Sequence, residues 1–439
     1  MKRSVSLASV LYACAATQCL LVRAAPDGEA AADDSLVRAR RVGALMGAFV
    51  ADAAAMPFHW IYDTDLIASV LEEYNLTETP EFFPTNKYCL YYDYAVGEFT
   101  PFGEQMAVYA HSLATQQKVD PQNIADSYYS YYTSPENTTR PFVSYLDNAT
   151  KGFLENVAAG ARFPHTGAGD TETNAVAHVL PVVAMRAGRE DFLEEAEAAI
   201  RVVQDNDDAV AFGMTFARML EKVILGTPVD RAILEVAELL RTNGTGNPND
   251  RWFGHALGKM DEWTPRPPMD VTLELGQACD FPFHVLTAPQ FLLHSEASTT
   301  PMSFQDAIRE TIKIGGENAD RGSFIGSLIA AAAATVEDPT VAIPTEWVNK
   351  TTRYDEMLKV AEAIVDGGET RPLLRGKEDS QQSVPFTWVR EHTAPTTDRE
   401  IVRGPGLGNA PGCIAHGNST TSNATRPPSH PDDGACYAI

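Results

Sequence analysis

Asp52 is a lone carboxylate inside an otherwise apolar run, and Glu317, Asn318, Asp320 and Arg321 cluster directly behind a Gly315–Gly316 pair. Acidic groups set beside residues this small suit a buried polar site, which needs its own partners to offset the cost of leaving water. Two opposed carboxylates would serve glycosidic hydrolysis, although a sequence gives no distances. His59 and Trp60 follow Pro57 closely, and an imidazole beside an indole suits stacking on a base or sugar, or equally a packed aromatic corner. Each acidic group also has a plainer role. Asp52 can orient helix ends through hydrogen bonds, and Glu317, Asn318 and Asp320 sit where a helix starts and can cap it. The loop from His165 to Asp170 could cover a pocket, or Asp170 could simply cap the next helix. No Gly-x-Ser-x-Gly, zinc-protease motif, Walker loop or paired Cys-x-x-Cys occurs, which leaves nucleophilic and zinc chemistry without support.

The elements that must position these residues are helical. Gly43, Gly47, Ala51 and Ala55 recur every fourth residue, as do Gly322, Gly326, Ala330 and Ala334. At that spacing each set forms a stripe of small side chains that lets another backbone approach closely. A helix capped by Asp34 or Ser35 is expected to run to about Met56, where Pro57 ends it. The Tyr- and Pro-rich region 62–104 reads as loops with short helices. Helical periodicity then predicts helices near 104–117, 121–132, 138–158, 172–188, 190–204, 207–225, 228–241, 271–294, 303–313, 319–335 and 354–366. Sustained period-two alternation is scarce, so the fold class is all-α, with one helical domain over 35–370. Residues 25–34 read as a flexible lead-in. Residues 371–439, rich in Gly, Pro, Asn, Ser and Thr toward their end, read as an irregular, largely disordered tail.

The chain opens with Met1-Lys2-Arg3, an apolar stretch from Leu7 to Val22 and small residues around Ala24, the pattern of a signal peptide over 1–24. Export to the secretory lumen or beyond is the expectation. Asn75, Asn137, Asn148, Asn243, Asn349, Asn418 and Asn423 each form a glycosylation sequon, which fits that route. Loss of the signal leaves Cys89, Cys279, Cys413 and Cys436, of which Cys413 and Cys436 are the easiest to bridge because both lie in the tail. The net charge of −25 disfavours nucleic acid and anionic membranes as partners, and no later segment is long enough to span a bilayer. Oligomeric state is not encoded in any of these features.

The segment from Gly43 to Trp60, together with Gly315-Gly316-Glu317 leading into a Gly/Ala-rich helix, resembles the ADP-ribosylglycohydrolase family. That family opens with a Gly-Ala-x-x-Gly-x-x-x-Gly-Asp-Ala-x-Gly helix and closes with Gly-Gly-Asp-x-Asp-Thr. Ala51 to Asp63, Gln204 to Asp207 and Cys279 to Phe283 look like its J-type crystallin and selenoprotein J branch. The resemblance implies an all-α, orthogonally packed fold and, in catalytic members, two Mg²⁺ ions at the centre. The family's Thr-Asp-Asp-Thr segment falls on Phe102-Gly103-Glu104-Gln105, where Glu104 alone stays acidic; Glu104 also suits a helix start. In the late motif the first Asp becomes Glu317, the second Ala319 and the Thr Asp320, and a downstream acidic position falls on His59. Phe102, Gly103 and Ala319 offer no side-chain oxygen to a hard cation.

What carries over is reduced. Asp52, Glu104 and Glu317 would hold at most one Mg²⁺ or position water, and none would bind in a non-catalytic protein. Asp52, Glu104 and Asp320 are the candidate catalytic groups, with Asp320 or His59 assisting proton transfer. His59, Trp60, Gly315, Gly316 and Arg321 are the candidate ligand contacts, and Arg321 could instead neutralise Asp52 or Glu317 in place of a lost cation. Two functions follow from the resemblance: a hydrolase acting on a glycosidic bond of a small or ADP-ribosylated substrate, or a non-catalytic crystallin-like or ligand-binding protein.

Overall fold

The first long helix, α1 (Asp27–Ala55), starts well before the expected cap. Residues 27–34 therefore belong to a helix rather than to a lead-in loop, as three consecutive alanines behind acidic Asp27 and Glu29 favour. A computed structural model describes residues 27–89, 91–134, 145–243, 248–277 and 283–367. The expected signal peptide 1–24, the tail 371–439, the Cys413–Cys436 bridge, Cys279 and the sequons at Asn137, Asn418 and Asn423 lie outside them. Asp34–Phe58 is long and apolar enough to cross a membrane, but 94% of its most apolar window is buried inside the protein, as in any core helix.

After a 3₁₀ turn at Met56–Phe58 come α2 (Thr64–Glu73), α3 (Pro101–Gln116), α4 (Pro121–Thr133) and α5 (Asn148–Ala158). Next are α6 (Ala175–Arg186), α7 (Phe192–Val203), α8 (Asp207–Ile224) and α9 (Val229–Asn243). The chain continues through α10 (Pro248–Leu257), α11 (Met260–Trp263), α12 (Pro268–Leu275) and α13 (Phe283–Glu296). It closes with α14 (Phe304–Ile314), α15 (Asn318–Ala333), α16 (Thr345–Lys350) and α17 (Tyr354–Val365). Among the described residues there is no strand, only two isolated bridges, Ile61 with Gly316 and Ala168 with Gln204. The fold is all-α.

Two expected helices are interrupted. Of the one placed at 138–158, residues 138–144 lie outside the described ones, 145–147 are not helical, and a helix starts at Asn148, where the Asp147 side chain accepts the Thr150 amide at 2.7 Å. The one placed at 271–294 is broken after Leu275, where Gly276 adopts a φ of 131° that no helix permits.

The two small-residue stripes face each other, α1 against α15. A Cβ on Gly47 would lie 2.5 Å from both the Gly326 carbonyl oxygen and the Ala330 Cβ, and one on Gly326 would meet the Gly47 carbonyl at 2.9 Å. Only hydrogen fits at these positions, and the backbones close up as a result. Arg38 near the start of α1 clasps Asp366 beyond α17 through Nε–Oδ1 (2.5 Å) and Nη2–Oδ2 (2.7 Å). The two ends of the described domain are thereby joined.

Candidate functional site

Asp52 lies on the last turns of α1 with no solvent exposure. Its carboxylate accepts the Thr100 amide at 2.8 Å and the Thr100 hydroxyl at 2.5 Å. Thr100 is in turn the N-cap of α3, its hydroxyl accepting from the Gly103 amide at 3.3 Å. Gly103 has to be glycine here, because a Cβ would run into Asp52 Oδ2. The helix-orienting role of Asp52 is thus the one its contacts display. Burial pushes its carboxyl up to about 7; the Thr100 hydrogen bonds oppose that rise, and neighbouring Asp320 and Glu104 add to it.

Glu104, one turn into α3, is buried as well. Its Oε2 accepts the Tyr131 hydroxyl at 2.6 Å and lies 3.2 Å from Arg353 Nη1. Arg353 stands at the N-cap of α17 and also binds Glu356 through Nε and Nη2, both at 2.9 Å. Its guanidinium sits 5.3 Å from the centre of the Phe99 ring. Tyr131 comes from α4, one of the buried faces of the Tyr-rich segment.

Glu317 is the N-cap residue of α15, fully buried, and accepts the Tyr62 hydroxyl at 3.1 Å. Burial drives its carboxyl far above the ordinary range, with nearby Asp320 adding to the rise. His59 Nε2 lies 3.6 Å from Glu317 Oε2, while Nδ1 is 3.3 Å from Asn318 Oδ1 and 3.4 Å from the Ala319 amide. Burial lowers the His59 imidazole to about 3, so it sits neutral among polar neighbours. Asp320 is pushed up to about 7 by burial, offset in part by the Thr173 hydroxyl and Arg321.

The remaining expected ligand contacts are engaged in packing and hydrogen bonds. Trp60 takes a left-handed φ of 65° and packs in an aromatic corner, its ring 4.5 Å from Tyr145, 5.1 Å from Tyr91 and 4.6 Å from His59. Gly315 and Gly316 have φ of 74° and 61°. A Cβ on Gly315 would lie 2.5 Å from the Ile61 carbonyl, and one on Gly316 2.5 Å from Gln277 Cβ. Their small size permits this close crossing of chains. Arg321, a candidate ligand contact that could instead neutralise Asp52 or Glu317, lies within electrostatic reach of Glu317 and Asp320. Its hydrogen bonds go elsewhere: Nε donates to the Thr311 hydroxyl at 2.7 Å, and Nη2 donates to the carbonyls of Thr311 and Gly315 at 3.0 and 2.8 Å. It closes the C-terminal end of α14, where unpaired carbonyls attract a cation.

The acidic groups therefore lie near one another, yet each carboxylate is turned to its own donor. Among the described residues no three His, Cys, Asp or Glu side chains are grouped so as to hold a metal ion. Asp52 and Glu104 already accept hydrogen bonds from Thr100, Tyr131 and Arg353, so the proposed set of Asp52, Glu104 and Glu317 does not fit Mg²⁺, which demands near-octahedral oxygen ligands.

A second buried polar network escaped the sequence reading. Gln105 donates to Asp147 at 2.6 Å and receives from Asn174 at 3.0 Å, with His178 Nε2 2.9 Å away. Thr150 and Tyr128 extend it. The only sequence signal was polar residues interrupting apolar helix faces. The loop His165–Asp170 is pinned rather than loose: the Thr166 hydroxyl donates to Val202 and the Ala168 amide to Val203, both at 2.8 Å. Cys89 is a buried thiol raised to about 11 by desolvation. Asn75, Asn148 and Asn349 are exposed, and Asn243 lies in α9.

Comparison with known proteins agrees with the geometry of the fold. The family model described as ADP-ribosylglycohydrolase matches residues 33–373. Crystallin J1A of Tripedalia cystophora is 26% identical over 336 residues, covering 74% of this chain and 96% of the crystallin. Crystallin J1B of the same animal is 26% identical over 337 residues, 75% of this chain and 97% of the relative. A solved structure titled "ADP-ribosylglycohydrolase-related protein complex" superposes with a TM-score of 0.54 at 20% identity, covering 75% of this chain and 98% of that one. At that identity the likeness concerns the fold.

Proposed function

The chain belongs to the ADP-ribosylglycohydrolase family, and from that premise we propose that it is a non-catalytic member, a crystallin-like or ligand-binding protein with no metal-dependent hydrolysis. The observation that carries this reading is the state of the carboxylates. Asp52 is spent on the N-terminus of α3, and Glu104 on Tyr131 and Arg353. A divalent ion would have to displace these bonds from a site already desolvated and paired, at a cost its remaining ligands do not offset. The likeness to two crystallins supports the same reading. We further propose that the mature chain begins near Ala25, is exported, and carries N-glycans at exposed sequons such as Asn75 and Asn349, with neither nucleic acid nor a membrane as partner.

A second reading has one observation in its favour. Asp320, held near 7 beside the still higher Glu317, is a buried carboxyl able to give up a proton at neutral pH. A metal-independent hydrolysis of a glycosidic bond in an ADP-ribose-like conjugate would use that pair.

One experiment separates the two. The purified exported chain is analysed for bound divalent ions and assayed on ADP-ribosylated peptide, with and without chelator. The expected outcome is no stoichiometric ion and no turnover. Turnover indifferent to chelator and abolished in Asp320→Asn would establish the second reading. Turnover lost with chelator, together with one ion per chain, would overturn both.

A further inference from the structure

Glu104 has lost its freedom to take a metal to a particular residue. Its carboxylate is 4% exposed, and a carboxylate so enclosed needs a cation or several donors. Asp52 and Asp320 are close enough to act on one another electrostatically, and Glu104 adds to the same negative field. One guanidinium reaches the carboxylate from outside that cluster. Arg353 Nη1 stands 3.2 Å from Glu104 Oε2, and Arg353 is itself 8% exposed. The geometry around it is built: Glu356 takes two hydrogen bonds from the fork, His111 Nε2 lies 2.8 Å from Glu356 Oε1, and the Phe99 ring lies beneath. The planar fork is held in place on three sides, which a flexible ammonium would not allow.

We propose that Arg353 is the resident cation of this centre: a guanidinium delivered by α17 occupies the charge-balancing place at Glu104 that a divalent ion would otherwise take. The inference rests on the metal-free reading above and deepens it, because it names what replaced the metal. It also makes α17 part of the centre, although that helix carries none of the residues the sequence had marked. Removing the guanidinium takes a facing positive charge from a buried carboxylate, and the neutral Tyr131 hydroxyl that remains does not replace that charge.

The test is thermal unfolding of the full exported chain with Ca²⁺, Mg²⁺ or chelator. The wild-type midpoint is expected not to move between these conditions beyond the shift that matched ionic strength gives. Arg353→Met should lower the midpoint by roughly 5 °C or more in chelator, as loss of one partner of a buried pair does. Millimolar Ca²⁺ should then restore most of that loss, since Ca²⁺ tolerates irregular oxygen sets. In Arg353→Met with Glu104→Gln the cation response should disappear while the midpoint recovers. If Arg353→Met does not fold in chelator, refolding it in Ca²⁺ gives the same answer: recovery supports the proposal, and failure in both media, with Arg353→Met plus Glu104→Gln failing to fold as well, overturns it. A folded Arg353→Met indifferent to both cations also overturns it, and does so even if the wild type proves metal-free and inactive. Failure here is therefore distinct from failure of the functional reading.

Discussion

At Asp320 the balance is between burial and two modest partners, and burial prevails. Its carboxyl sits near 7, with Thr173 and Arg321 pulling it down and desolvation holding it up. In the unfolded chain the same group loses its proton near pH 4. Between about pH 4 and pH 7 the folded state thus binds the extra proton, and stability must fall as pH rises, by up to about 1.4 kcal/mol per unit from this group. Above about 7 both states are ionised and the dependence levels off. His59, lowered to about 3, acts in the opposite direction, losing stability as pH falls below about 6.5. The difference between wild type and Asp320→Asn isolates the first effect. Measured by urea unfolding from pH 4 to pH 8, the wild type should lose stability relative to the variant up to about 7. A difference that stays flat would mean that Asp320 is ionised throughout. That these acids would be buried was legible from their small-residue surroundings. Their partners were not: Thr100 lies 48 residues from Asp52, and Arg353 lies 249 from Glu104.

The α1–α15 contact is the element on which the centre depends, and it is the one the chain spells out most clearly. Gly47 tests it. A methyl group there would sit 2.5 Å from the Gly326 oxygen and the Ala330 Cβ, both in packed helices with no flexible end to give way. Gly47→Ala should cost about 1–3 kcal/mol, the usual penalty for overpacking. Gly169→Ala, where nothing lies within 4 Å of the added atom, should stay within about 0.5 kcal/mol of wild type. Chemical denaturation of the two variants side by side gives the comparison; equal stabilities would mean the helices can separate without loss. Periodicity located most of the long helices. It missed α10, α11 and α16, which are too short or too polar to show a clear repeat, and it ran past the stop at Gly276 and the cap at Asp147. A repeat of apolar residues continues across such points, and only the backbone dihedral or the cap bond marks them.

For the molecule as a whole, charge sets the terms. At a net −25 the folded chain repels itself, and screening should help it despite the weakening of exposed ion pairs. Raising salt from about 10 to about 150 mM shortens the Debye length from roughly 30 to 8 Å, so the unfolding midpoint should rise over that range. A midpoint that falls would show that ion pairs such as Arg38–Asp366 and Arg309–Glu81 outweigh the repulsion. The sequence by itself determined the all-α fold, the two stripes that pack together and the family to which the chain belongs. All three are written in local spacing and side-chain size, which a linear chain carries openly. The tertiary structure alone decided what became of the carboxylates those stripes bring inward. Glu104 met Arg353, Asp52 met the cap of α3, and Arg321 gave its hydrogen bonds to the end of α14. The energy of a buried charge depends on groups within a few ångströms, and distant segments of the chain supply them.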